Sequence, residues 1–241
     1  MAWYTEWFGT RYYKLLYGHR DQRDAKAWVN TILRRSGLAA GAELLDMGCG
    51  RGRHAGLFAE QGLRVTGIDL SAESISDARS ACPQATFAVH DMRTAFARGR
   101  FDAVVCLFTS LGYSADRMDD QRAVDAATVA LKPGALFVLD VLNGAIVRKD
   151  LVEENCQMEG EVRFTLQRRV EGDTIIKDIH VDDQGCSHRF IERVHAWTAE
   201  EVQAMIARAG LLLEELTDGP DTAPFDPVTS DRIVAWARKP R

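Results

Sequence analysis

Three glycines at alternate positions, Gly48, Gly50 and Gly52, follow the apolar run Glu43-Leu44-Leu45-Asp46-Met47 and precede a stretch that opens Arg53-His54. Glycine permits the positive φ of a tight strand-to-helix turn and lets a ligand press on main-chain amides. A second acid, Asp69, ends the next apolar run, Arg64-Val65-Thr66-Gly67-Ile68. It stands about 20 residues beyond the turn, where a carboxylate in a doubly wound sheet accepts hydrogen bonds from ribose hydroxyls. The chemistry of that pairing is nucleotide-cofactor binding. Spacing narrows it further. The dinucleotide fingerprint G-x-G-x-x-G surrounds a pyrophosphate, whereas this turn runs Asp46-x-Gly48-x-Gly50-x-Gly52 with an acid in front. A carboxylate facing the ligand repels a pyrophosphate and suits a cationic amine, so a nicotinamide oxidoreductase is disfavoured.

The elements that must position these residues are readable as alternating strands and helices. After the first two strands come Thr86-Phe87-Ala88-Val89, the wholly apolar centre of Phe101 to Phe108, and Leu131 to Asp140 with its Lys132-Pro133-Gly134 turn. Apolar runs of this kind suit parallel strands buried on both faces. The pattern predicts an α/β fold, a mostly parallel sheet with helices on both faces. From 160 to 197 it changes to three strand-like runs, Glu161 to Val170, Thr174 to Val181 and Ser187 to Trp197. The breaks Glu171-Gly172-Asp173 and Asp182-Asp183-Gln184-Gly185 suit hairpins, which predicts a small antiparallel lid. Thr198-Ala199-Glu200-Glu201 opens a capped helix ending near Ala209-Gly210, and Leu211 to Thr217 and Asp231 to Ala237 supply the last two strands.

The turn led by Asp46 resembles motif I of the class I S-adenosylmethionine (SAM)-dependent methyltransferases. The resemblance implies a Rossmann-like seven-stranded sheet, with SAM as cofactor and S-adenosylhomocysteine as product. It implies cofactor contacts at Asp46, Gly48, Cys49, Gly50, Gly52, Asp69 and Leu70. In the family an acid after the third strand holds the adenine amino group and the next amide meets the ring, which points to Asp91 and Met92. Leu107, at the end of the fourth strand, belongs beneath the methionine part. Two further segments, Tyr12-Tyr13-Lys14-Leu15-Leu16-Tyr17 and Leu107-Phe108-Thr109-Ser110-Leu111-Gly112-Tyr113, are similar to a bacterial small-molecule subgroup with an N-terminal aromatic helix. That likeness implies that Tyr12, Tyr13 and Tyr17 roof the cofactor, where aromatic faces stabilise a sulfonium. The expected organisation is a helical cap over 1–37, a SAM-binding domain over 38–150 and 198–241, and a lid over 151–197. Cys106 departs from the asparagine frequent in the subgroup, and Asp218 to Phe225 departs from its usual run.

The acceptor is not written in any motif. His19, Arg20, Tyr113, Asn143, Glu192, Arg193 and His195 are the candidates for the pocket mouth. Each has a plain structural alternative: a cap for Asn143, a surface ion pair for Arg20, a lid position for His195. Methyl transfer to a small molecule is the favoured activity. Cyclisation of SAM to azetidine-2-carboxylate with release of methylthioadenosine, and non-catalytic SAM binding, are the alternatives. With a net charge of -5 and no dense Lys/Arg run, the electrostatic footprint of a nucleic-acid binder is missing. Five scattered cysteines lack zinc or disulfide spacing, so no metal is expected. No apolar run reaches the ~18 residues of a membrane span. The start Met1-Ala2-Trp3-Tyr4 is unlike a signal peptide, which predicts a cytoplasmic protein, and nothing in the sequence argues for an assembly beyond a monomer or homodimer.

Overall fold

The computed structural model describes residues 3–18 and 22–241. Three helices come first: α1 Trp3–Trp7, α2 Arg11–Leu16 and α3 Gln22–Ser36. Then β1 Glu43–Met47, α4 Arg53–Glu60, β2 Arg64–Asp69, α5 Ala72–Ala81, β3 Thr86–Val89, β4 Phe101–Cys106, α6 Arg117–Ala130 and β5 Leu131–Leu142 alternate as the apolar runs require. A short helix, α7 Gly144–Lys149, leads into four further strands, β6 Glu154–Glu159, β7 Val162–Glu171, β8 Thr174–Asp183 and β9 Cys186–His195. The chain ends with α8 Ala199–Arg208, β10 Leu212–Asp218, β11 Ala223–Pro224 and β12 Arg232–Arg238.

Two sheets result. The large one has the order β11-β10-β12-β5-β4-β1-β2-β3, with β1 to β5 parallel and β12 antiparallel to both β5 and β10. Helices α3, α4 and α5 bury Trp28, Phe58 and Ile75 on one face, and α6 and α8 bury Val124, Val202 and Ile206 on the other. Strand order reverses between β1 and β4, and a crevice opens there at the carboxyl ends of the strands. The seven-stranded expectation gains an eighth member, because Ala223 and Pro224 add two residues to the β10 edge. Strand β5 also begins earlier than its apolar run: Lys132 to Ala135 bulge out of the pairing with β4 between Leu131 and Leu136.

The second sheet runs β6-β7-β8-β9, all antiparallel. Of its strands the sequence reading misses β6, Glu-Asn-Cys-Gln-Met-Glu, an edge strand with no buried residue and therefore no apolar alternation to detect. Gln184 and Gly185 both take positive φ, 49° and 85°, as a two-residue hairpin turn demands. The buried face of this sheet, Val162, Phe164, Leu166, Ile179 and Val181, packs against Trp7, Tyr12 and Leu16. The N-terminal aromatics thus have their core against the small sheet. No helix among the described residues is long and apolar enough to cross a membrane.

Candidate functional site

A cavity of roughly 670 Å³ lies at the crevice between β1 and β4. Its floor is the loop after β1, the end of β2, the segment after β3 and the loop after β4; its roof comes from α1 and α2. Its volume suits a cofactor-sized ligand.

The glycine turn divides its labour. Gly48, Gly50 and Gly52 have φ of 71°, 53° and 77°, conformations that favour glycine at all three. A Cβ on Gly48 would come within 2.6 Å of Ser110, and one on Gly52 within 2.8 Å of the Phe87 ring. Those two glycines permit close packing between elements. Nothing lies within 4 Å of where a Cβ of Gly50 would sit, so this is the glycine whose bare backbone faces the open cavity. Gly48 and Cys49 amides both donate to Ile68 O, at 2.8 and 3.0 Å, which ties the turn to the end of β2.

Asp69 accepts from Gly50 N at 2.9 Å through one oxygen and from Ser71 N at 2.8 Å through the other. Burial pushes its carboxyl up while these amides pull it down. Asp46 is buried, and its Oδ2 has no hydrogen-bond partner among the described residues. Burial, reinforced by Asp69, raises it to about 7. An orphaned acid of this kind suits a ligand that brings a cationic donor. Asp91 is held low by Arg93, whose guanidinium spans both of its oxygens and also reaches Asp119 at 2.6 Å. A ligand amino group at Asp91 would share it with Arg93. Cys49, Leu70, Met92 and Leu107 line the same cavity. Burial drives the Cys49 thiol far up, which makes it an apolar wall and not a nucleophile.

Several cavity residues escape the sequence reading, His54 and Asp120 among them. His54, 7% exposed, presents an Nε2 without a partner among the described residues, and burial with Arg53 nearby lowers it to about 3. Asp120 accepts from Gly112 N at 3.0 Å through Oδ1, leaves Oδ2 unpaired among the described residues, and is raised by burial to about 6. Neither belongs to a motif. Asp120 looks like one of several acids in the first turn of a helix, and only the turn at Gly112 brings it to the cavity.

Of the proposed roof, Tyr13 and Tyr17 line the cavity with Tyr4, Phe8 and Tyr113. Phe8 bridges the set, with ring centroids 5.0 Å from Tyr13 and 5.2 Å from Tyr113. Tyr12 does not line it: on another face of α2 from its neighbour Tyr13, it is buried against the small sheet and its hydroxyl donates to Asp183 at 2.9 Å. Tyr113 is therefore the one acceptor candidate that borders the cavity among those described. Asn143 caps α7, accepting from Ala145 N and donating to Ser230 O at 2.8 Å. His195 is buried against Trp197, with Nε2 3.0 Å from Glu201 and Arg117 at Nδ1. Arg193 is exposed on β9. Glu192 stands behind the roof, accepting from Trp7 Nε1 at 2.6 Å, from Tyr17 OH at 2.8 Å and from Lys177 at 2.8 Å. His19 and Arg20 lie outside the described residues.

Comparisons with known proteins agree with this geometry. Residues 44–134 match a family model described as a methyltransferase domain. The chain is 30% identical over 220 residues to a dTDP-3-amino-3,4,6-trideoxy-alpha-D-glucopyranose N,N-dimethyltransferase of Streptomyces venezuelae, covering 86% of this chain and 92% of the relative. Among solved structures, the sugar N-methyltransferase KedS8 of Streptoalloteichus superposes with a TM-score of 0.76 at 26% identity, over 95% of this chain and 93% of that one. A SAM-dependent methyltransferase of Clostridium acetobutylicum superposes with a TM-score of 0.81 at 19% identity, over 95% and 96%, and shares the fold. Cyclisation of SAM gains no support from these relatives.

Proposed function

The chain belongs to the class I SAM-dependent methyltransferases and transfers a methyl group to a small-molecule acceptor, and from that premise we propose that this acceptor is an amine on a sugar-sized molecule. The observation that carries this reading is the match to an amino-sugar N,N-dimethyltransferase along 92% of that relative's length. The cavity supports it chemically. SAM, when bound, supplies a methyl group already activated on a sulfonium, so alignment and proton removal are what remain for the protein.

Each floor residue has a proposed task. Asp69 receives the ribose hydroxyls, Asp91 the adenine amino group, and the orphaned Asp46 carboxylate the amine of the methionine part. Gly50 offers bare backbone beside them. Tyr13 and Tyr17 cover the sulfonium side and exclude water. An ammonium acceptor must lose a proton before its lone pair attacks. Asp120, in the cavity wall and poised near pH 6, is the proposed proton acceptor, and Tyr113 borders the acceptor's approach.

The test is incubation with SAM and two matched nucleotide-linked sugars, one bearing an amino group and one a hydroxyl at the same carbon, followed by mass spectrometry. The proposal expects S-adenosylhomocysteine together with one or two methylene increments on the amino sugar alone. Methylation of the hydroxyl sugar with none on the amine would overturn it.

A further inference from the structure

The chain leaves β4 through two consecutive residues in the left-handed region, Phe108 and Thr109, each with φ 57°. Neither is a residue type that settles there. For a β-branched or bulky side chain such a backbone is a genuine outlier, held only where surrounding contacts over-determine it. The contacts are unusually complete. Asp140 on β5, with no exposed surface, accepts from Phe108 N at 2.8 Å through Oδ2, and its carbonyl accepts from Thr109 N at 3.0 Å. Its other carboxylate oxygen takes the Nε of Arg232 on the neighbouring β12. Arg232 then reaches back with Nη2 to Thr109 Oγ1 at 3.0 Å and lays its guanidinium over the Phe108 ring, 5.5 Å from the centroid. Strand register explains the meeting: Val234 lies opposite Asp140, and Arg232, two residues along, shares its face.

What the turn carries is the wall of the cavity. Leu107, Phe108, Ser110, Leu111, Gly112 and Tyr113 all line it. Ser110 Oγ donates back to Leu107 O at 2.8 Å and across to Gly48 O at 3.2 Å, so the strained turn presses this loop onto the glycine turn of β1. A relaxed backbone at 108 and 109 would redirect every residue up to Tyr113.

We infer that Asp140 and Arg232, neither of which touches the cavity, are positioning residues that hold the Phe108-Thr109 turn in its strained form and so shape the SAM site. The inference rests on SAM occupying this cavity, but it needs no knowledge of the acceptor.

Its test is the affinity for S-adenosylhomocysteine, measured by calorimetry. Arg232→Met weakens binding by roughly tenfold, the scale of an unsupported left-handed residue. Thr109→Gly placed in the Arg232→Met protein restores most of that loss, because glycine adopts φ 57° unaided. Glycine at the exposed Thr229 restores none. Arg232→Lys keeps the charge beside Asp140 and lacks the arm to Thr109. It gives a smaller loss with the same rescue, and it serves if Arg232→Met does not fold. Wild-type affinity in both Arg232 variants, or failure of Thr109→Gly to rescue either, overturns the inference. Asp69→Ala, measured alongside, reports on the cavity itself, so a misplaced cofactor site is told apart from an idle brace.

Discussion

The floor of the cavity gathers the loops at the carboxyl ends of β1, β2, β3 and β4, while its roof is joined by contacts between residues 160 to 185 positions apart, Tyr17 with Lys177 and Trp7 with Glu192. On the floor the turn residues hold their backbone in a demanding shape and leave polar atoms unpaired, as Asp46 Oδ2 does. In the roof network every polar partner is satisfied. Glu192 takes three donors, and Lys177 reaches both Glu192 and the Tyr17 hydroxyl, at 2.8 and 2.6 Å. The unpaired Asp46 oxygen is open to a ligand at the cavity, whereas the paired roof groups fasten elements together. Substitutions should separate the two.

The largest effect is expected in the roof. Glu192→Ala leaves Lys177 and two further donors without their acceptor, and costs about 3–5 kcal/mol of stability, read from chemical denaturation. The same network gives acid sensitivity. Burial alone would push Glu192 up, but Lys177, Trp7 and Tyr17 bring it below its ordinary value of 4.5. Its contribution is therefore whole above pH 4.5 and lost as pH falls below it, a loss that Glu192→Gln should flatten in a melting profile.

Next comes the floor. Asp69→Ala weakens SAM binding by roughly 100-fold, as charge-assisted hydrogen bonds of this kind predict. Its stability should change less than that of Glu192→Ala, since burial already disfavours the Asp69 charge. Equal stability losses in the two variants would erase the distinction between floor and roof.

Asp46 sharpens it further. An acid raised to about 7 binds its proton more tightly folded than unfolded, so without ligand stability falls as pH rises from 3.8 through about 7 and levels off above. Asp46→Asn should therefore melt higher than wild type at pH 8 and bind SAM more weakly. Wild-type affinity for SAM should rise through the same window, as the carboxylate that pairs with the cofactor amine forms. A pH-independent affinity would remove Asp46 from that role.

The smallest effects belong to residues with purely structural partners. Asn143→Ala loses a helix cap and about 1 kcal/mol of stability, with SAM affinity unchanged. Tyr12→Phe likewise leaves SAM affinity at the wild-type value, since its hydroxyl serves Asp183.

The same contrast explains what the sequence reveals. The glycine turn, Asp69 and the alternation of β1 to β5 are legible because spacing along the chain encodes them. Strand β6 was hidden because an exposed edge carries no apolar period. Tyr12 was misplaced because Tyr12 and Tyr13 are adjacent in sequence, and only the docking of α2 decides which faces the cavity. Glu192 and His195 read as reactive but are spent on fastening elements. Asp120 and His54 read as ordinary and prove to carry unpaired atoms at the cavity. Asp140 and Arg232 meet only because β12 pairs with β5, which no local pattern announces.

The most direct measurement is a crystal structure with S-adenosylhomocysteine bound. Its ribose is expected on Asp69, its adenine amino group at Asp91, its amine beside Asp46 Oδ2, and its sulfur beneath Tyr13 and Tyr17. A ligand whose amino acid end lies away from Asp46, or whose ribose avoids Asp69, would contradict these placements.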